Sequence, residues 1–286
     1  MIALTVVLAV FVGIALGLLG GGGSILTVPL LAYVAGMEAK QAIATSLLVV
    51  GTTSAVAAVS HARAGRVQWR TGLVFGVAGM AGAYAGGMLA RFIPGSVLLI
   101  GFAVMMIATA IAMLRGRKDV GPVEPGHRIP VPKVIIEGLV VGLVTGLVGA
   151  GGGFLVVPAL ALLGGLPMPI AVGTSLVVIA MKSFAGFAGY LSSVSIDWKV
   201  AGMVTAAAVV GALIGARLTA LVNPDSLRKA FGWFVLVMSS VILFEEVHPA
   251  LGIAMAGLTI LAAVICYVRG RRSSDTPAGT LEQVKS

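Results

Sequence analysis

Lys182 is the one charged side chain set deep inside an apolar run, Val177-Val178-Ile179-Ala180-Met181-Lys182-Ser183-Phe184. An ammonium at the centre of a membrane helix costs at least about 2.5–3.5 kcal/mol, so a functional role, such as balancing an anion, is its first reading. No carboxylate accompanies it in that run. Snorkelling is the competing explanation: Tyr190, at the end of the run, is about 12 Å away along a helix, partly within a lysine's reach. Two hydroxyl pairs, Thr45-Ser46 and Thr174-Ser175, stand 129 positions apart. They offer uncharged donors to an oxyanion, unless each bonds the carbonyl one turn back.

The third kind of candidate is backbone. Gly20-Gly21-Gly22-Gly23-Ser24 is followed by Ile25-Leu26-Thr27-Val28-Pro29. It returns 129 positions later as Gly149-Ala150-Gly151-Gly152-Gly153, followed by Phe154-Leu155-Val156-Val157-Pro158. Across residues 18–32 and 147–161, nine of fifteen pairs are identical. Each glycine disfavours helix by about 1 kcal/mol, so both stretches interrupt a helix in apolar surroundings. Broken backbone is tolerated at membrane depth only where it is buried in protein or lines a cavity. The helix restarting after each break presents free N–H groups and a positive dipole end, which together suit an anion. Ser24 adds a hydroxyl in one copy only. Close helix packing also uses glycine, but four in a row exceed what packing needs. Pro29 and Pro158 free the carbonyls of Ile25 and Phe154 and help keep the segments bent.

Other chemistries lack their residues. His61, His127 and His248 are scattered, and Cys266 is the single cysteine, so neither a metal cluster nor an internal disulfide is expected. No GK[ST] follows the glycines, which excludes a P-loop. Glu137, Glu245 and Glu246 sit near the ends of apolar runs, leaving no mid-membrane carboxylate for a proton relay; His61 is a weak candidate for one. No cofactor is expected.

The elements that position these groups are membrane helices. Hydrophobic residues make up 59% of the 286 and charged ones 10%, and mean hydropathy is +1.10. Apolar runs reach the roughly 20 residues that cross a bilayer, so the expected fold is an all-α polytopic membrane protein. The net charge of +9 is clustered between apolar runs, which points to the bilayer rather than nucleic acid. Residues 2–19 form one apolar run, and residues 24–35 make a segment too short to span. Full spans are expected near 38–60, 68–90 and 95–114. No signal peptide is read at the N-terminus.

The pattern then repeats. Trp69 matches Trp198, and Gly82 and Gly86 match Gly211 and Gly215, all at the same offset. The expected organisation is a first repeat at 1–115, a cytoplasmic Pro-rich linker at 116–133, a second repeat with one extra helix at 134–268, and a cytoplasmic tail at 269–286. If each glycine break is a hairpin, every half holds an odd number of crossings and the halves are inverted. Among the lysines and arginines of the loops and tail, only Lys40, Arg91 and Lys199 then lie opposite the basic side; four crossings per half would divide the charges evenly. Inverted repeats with broken helices are a common build of secondary transporters, with the site at the repeat interface near the midplane.

The doubled motifs, Gly17-Leu18-Leu19-Gly20-Gly21-Gly22-Gly23-Ser24 and Gly146-Leu147-Val148-Gly149-Ala150-Gly151-Gly152-Gly153, each with its Val-Pro, resemble the TauE/SafE sulfite-exporter family. So do Ala44-Thr45-Ser46 and Gly173-Thr174-Ser175. The resemblance covers about residues 5–268. It implies a bacterial plasma-membrane transporter exporting sulfite, sulfoacetate or related organosulfonates. With no cysteine in the glycine loops, persulfide chemistry is disfavoured. The expected partners are a small anion, the lipid bilayer and a second copy of the chain. A passive channel or an accessory membrane subunit are the other readings; a membrane enzyme would need a nucleophile, an acid–base pair or a metal cluster, and none is visible.

Overall fold

The computed structural model describes residues 2–19, 25–114, 131–149, 156–157, 160, 166, 168–218, 224–247, 257 and 259. Among these, every regular element is helical. Helix α1 is Ile2–Leu19 and α2 is the short Thr27–Pro29, which continues as a π-helical turn, Leu30–Val34. Then come α3 (Ala39–Arg63), α4 (Trp69–Leu89), α5 (Gly95–Leu114), α6 (Val131–Val148), α7 (Met168–Tyr190), α8 (Trp198–Leu218) and α9 (Pro224–Glu246). The expected spans fall within three residues of α3, α4 and α5. The linker is shorter at its end than expected, because α6 already begins at Val131. Pro132 does not prevent this, since the first turn of a helix has no use for that N–H. The tail and all of the last apolar run except Gly257 and Thr259 lie outside the described residues.

Among the described residues, four helices are long and apolar enough to cross a membrane: Ala39–Arg63, Trp69–Phe92, Ile170–Tyr190 and Trp198–Leu218. Leu4–Gly17, Gly95–Ile111 and Val134–Val148 are shorter apolar helices. The outer faces carry large apolar side chains, among them Phe11, Val77, Val104, Ile136, Val210 and Val237. Such a continuous apolar exterior suits lipid rather than water. Helices α3 and α7 are the most deeply buried of the four and form the centre.

Small residues set the packing. A Cβ on Gly13 would collide with the carbonyl of Ala208, and one on Gly17 with that of Ala212, so α1 and α8 run side by side in the same direction. A Cβ on Gly142 would collide with the carbonyl of Gly79, and one on Gly146 with that of Ala83, so α6 and α4 do the same. Each contact in one pair has its counterpart 129 residues away in the other. Helix α4 also runs alongside α7 in the same sense, with Gly72 beside Thr174 and Gly79 beside Lys182. Helices α3 and α7 cross in opposite senses: Gly51 faces the Phe184 ring and Gly186 faces Leu47. A short turn reverses the chain between α7 and α8. Followed round the bundle, these directions set α1 and α6 opposite to one another.

The apolar core falls into two clusters. The larger gathers Ile25, Val28 and Leu31 of the first short segment against Ala42, Ile43 and Leu47 of α3. The smaller gathers Val156 and Leu160 against Ala171, Val178 and Ile179 of α7, with Val50 of α3 and Phe75 of α4.

Candidate functional site

The first short segment ends through glycine chemistry. Gly36 has φ +70°, the Ala35 N–H donates to Leu30 O at 3.0 Å, and the Met37 N–H donates to Leu31 O at 3.0 Å. A left-handed glycine just past the helix closes it in this way. Gly149, with φ +76°, does the same for α6, donating its N–H to Thr145 O at 2.9 Å. The second break therefore opens on a helix stop. Gly149 is buried, and a Cβ there would press on Ile43. Gly20, Gly21, Gly22, Gly23 and Ser24 lie outside the described residues, as do Gly151, Gly152 and Gly153.

The hydroxyl pairs are buried but separated. Ser46 donates to Ile43 O at 2.8 Å or Gly149 O at 2.8 Å, which ties α3 to the second break. Ser175 donates to Val172 O at 2.8 Å. These are the local carbonyl bonds that compete with ligand binding. The threonines differ. Thr174 Oγ1 accepts the Gln68 N–H at 2.9 Å, whereas Thr45 Oγ1 is buried with no partner among the described residues. Thr174 lies at the α3–α4 turn, where Gly173 abuts Arg66 and His61. From Ser46 to His61 is about 22 Å of helix. The two pairs therefore sit toward opposite ends of α3 and do not meet at one point.

Lys182 is 1% exposed, between α4, α6 and α7. Its Nζ donates to Thr145 Oγ1 at 3.3 Å, and Thr145 in turn donates to Val141 O at 2.7 Å. The side chain is thus turned inward and not snorkelling. Among the described residues no carboxylate pairs with it, and two of its three N–H donors have no hydrogen-bond partner. Lys182 and the hydroxyl pairs occupy three levels of the α3–α7 pair rather than one cluster.

Thr145, Ser54, Ser183 and Thr27 escaped sequence reasoning. The hydroxyls of Ser54, Ser183 and Thr27 are buried without partners among the described residues. The signal was the offset itself: Ser54 and Ser183 occupy matching positions, as do Thr53 and Lys182, and Leu16 and Thr145. No group of His, Cys, Asp or Glu among the described residues could hold a metal. At one end of the bundle, Lys40 Nζ donates to Arg91 O at 3.1 Å, and Gln41 Nε2 to Ser195 O at 3.2 Å in the α7–α8 turn. A cleft of about 220 Å³ opens there beside Gln41 and Asp197, and it contains none of the candidate binding residues.

Comparison with known proteins adds the following. The profile of the sulfite exporter TauE/SafE family matches residues 5–242. A probable membrane transporter protein of Xylella fastidiosa (strain 9a5c) is 32% identical over 240 residues, 82% of this chain and 92% of that protein. The probable membrane transporter protein YdhB of Bacillus subtilis is 29% identical over 229 residues, covering 79% and 94% of the two chains. The probable membrane transporter protein MJ0441 of Methanocaldococcus jannaschii is 30% identical over 207 residues, covering 68% and 73%. No solved structure matches.

Proposed function

The chain belongs to the TauE/SafE sulfite exporter family of membrane transporters, and from that premise we propose that it is a secondary transporter exporting small sulfur-containing anions, sulfite or organosulfonates such as sulfoacetate, across a bacterial plasma membrane. The observation that carries this reading is Lys182: a positive charge in the apolar interior, held by one neutral hydroxyl and matched by no acid among the described residues. Such a charge is best offset by an anion that comes and goes.

The mechanism proposed is alternating access at a site between two inverted repeats. The opposed directions of α1 and α6, and the reciprocal α1–α8 and α4–α6 contacts, support the repeats. The glycine breaks at residues 20–24 and 149–153 supply backbone donors, Thr45, Ser46, Thr174 and Ser175 line the route, and Lys182 supplies the charge. Lys40 bonds the Arg91 carbonyl at one end, and the adjacent Gln41 bonds the α7–α8 turn, just beyond which stands Lys199. By the positive-inside rule that end is extracytoplasmic, and the C-terminus is cytoplasmic.

The test is uptake of labelled sulfite and sulfoacetate into proteoliposomes, with and without a proton gradient. Saturable uptake that responds to the gradient, and is lost in Lys182→Ala with insertion intact, is the expected result. Saturable uptake blind to any gradient would indicate a passive pathway. No uptake of either anion by correctly inserted protein would overturn the assigned substrates.

A further inference from the structure

Most other buried hydroxyls at the α3–α7 pair and its neighbours have a partner among the described residues, Thr27 and Thr45 excepted. Thr53 donates to Val49 O at 2.8 Å, Ser46 and Ser175 reach back three residues, and Thr145 reaches back four. Ser54 and Ser183 do not. Each is 2% exposed or less, and neither hydroxyl has a partner among the described residues. A buried hydroxyl left unpaired costs about 1–3 kcal/mol, and these two stand at matching positions, 129 residues apart.

Their level in the molecule follows from the crossing of α3 and α7. Leu47 meets Gly186 and Gly51 meets Phe184 in opposite senses. Continuing that register sets Ser54 at the level of Ile179 to Met181, and Ser183 at the level of Val50 to Thr52. Ser54, Lys182 and Ser183 thus lie within about one helical turn, roughly 5 Å, along the bundle axis. Val50, Val178 and Ile179, one turn from each of the three, pack in a single apolar cluster. The polar level therefore borders hydrocarbon. Its inventory is two hydroxyls and two unused ammonium N–H groups, with no carboxylate among the described residues: a set rich in donors. A small oxyanion, which offers only acceptors and negative charge, completes it.

We propose that Ser54, Ser183 and Lys182 form the binding site for a small sulfur oxyanion, at the crossing of α3 and α7. This rests on the transporter reading for its ligand class, and it moves the recognition groups from the Thr-Ser pairs to the centre. The site is symmetric in its hydroxyls and one-sided in its charge, because Thr53 stands where the second half has Lys182.

The test replaces Cys266 with alanine and introduces Ser54→Cys or Ser183→Cys, near-isosteric changes that leave packing alone. Each thiol is labelled with an anionic sulfonatoethyl methanethiosulfonate and, separately, with its cationic trimethylammonium analogue. The expected result is at least ten-fold faster reaction with the anionic reagent, protection by sulfoacetate, and loss of the preference in Lys182→Met. In transport, Ser54→Ala with Ser183→Ala should raise the KM for sulfite about ten-fold with a smaller change in kcat. Equal rates for the two reagents, or no reaction with either, would overturn the site. If wild-type uptake persists in that case, the transporter reading survives. Selective labelling without uptake of sulfite or sulfoacetate would instead keep the site and overturn the assigned substrates.

Discussion

The first and second halves of the chain use the same residues to hold their helices together and different residues at the middle of the bundle. Gly13 and Gly142 each seat a neighbouring backbone, and so do Gly82 and Gly211. Ser46 and Ser175 each bond the carbonyl three residues back. At the centre, Leu16 and Thr53 of the first half are answered by Thr145 and Lys182 of the second, and only the second pair bonds across helices. Away from the centre the contrast reverses: Thr27 and Thr45 leave hydroxyls without a partner among the described residues, while Val156 takes the position matching the first and Thr174 spends its oxygen on Gln68. Two halves with matching packing residues are free to differ in their interior polar groups, because packing is enforced by backbone contact and polarity is not.

The comparison breaks most severely at the glycines. Gly13→Val and Gly142→Val should each abolish folded protein, since the colliding atom is a facing carbonyl rather than a movable side chain; the loss is on the order of 3 kcal/mol or more. Gel filtration in detergent checks it, and a variant tolerated in one half alone would show the pairs are not equivalent. Next, Lys182→Thr combined with Thr145→Leu makes the second half copy the first. Transport should fall at least ten-fold while thermal stability rises, by about 2 kcal/mol or more from removal of a buried charge. A stable variant that still transports would show the asymmetry is not functional.

Smaller effects sharpen the contrast. Thr145→Val removes the hydroxyl that holds Lys182 and should destabilise by about 1.5–3 kcal/mol. Leu16→Val at the matching position loses a methylene, about 1 kcal/mol. Thermal unfolding of the two variants should keep that order. Smallest is the threonine pair: Thr174→Val strands the Gln68 N–H and should cost about 1 kcal/mol, whereas Thr45→Val removes an unpartnered hydroxyl and should be neutral or stabilising. Equal melting points for the two would mean that Thr45 has a partner in the membrane.

The spans were legible because apolar length is decided within each helix, and α5 matches its expected range at both ends. The glycine break at residue 149 was legible for the same reason: a left-handed helix stop is a local event. The depth of Lys182 was legible from its run, but its hydroxyl partner was not, since Thr145 lies 37 residues away and nothing in either run names the other. That Thr45-Ser46 and Thr174-Ser175 lie apart follows from the antiparallel crossing of α3 and α7, which neither run reveals. Positions 129 apart on α3 and α7 share a level only near the centre of the crossing and separate toward the ends. Ser54 and Ser183 sit near that centre, yet serines in apolar helices are unremarkable until one sees that these two bond nothing among the described residues.

The parallel pairing of α1 with α8 has a consequence for how the protein is made. The carbonyls that fill the glycine notches of α1 belong to a helix that begins at Trp198. At about 5–20 residues per second, the ribosome takes roughly 10–40 s to reach that helix after completing α1. Through that interval α1 is a helix with no lysine or arginine of its own and its mating surface uncovered. A chain truncated after α5 should therefore leave α1 open to proteolysis and to membrane quality control, and supplying the second half in trans should rescue it.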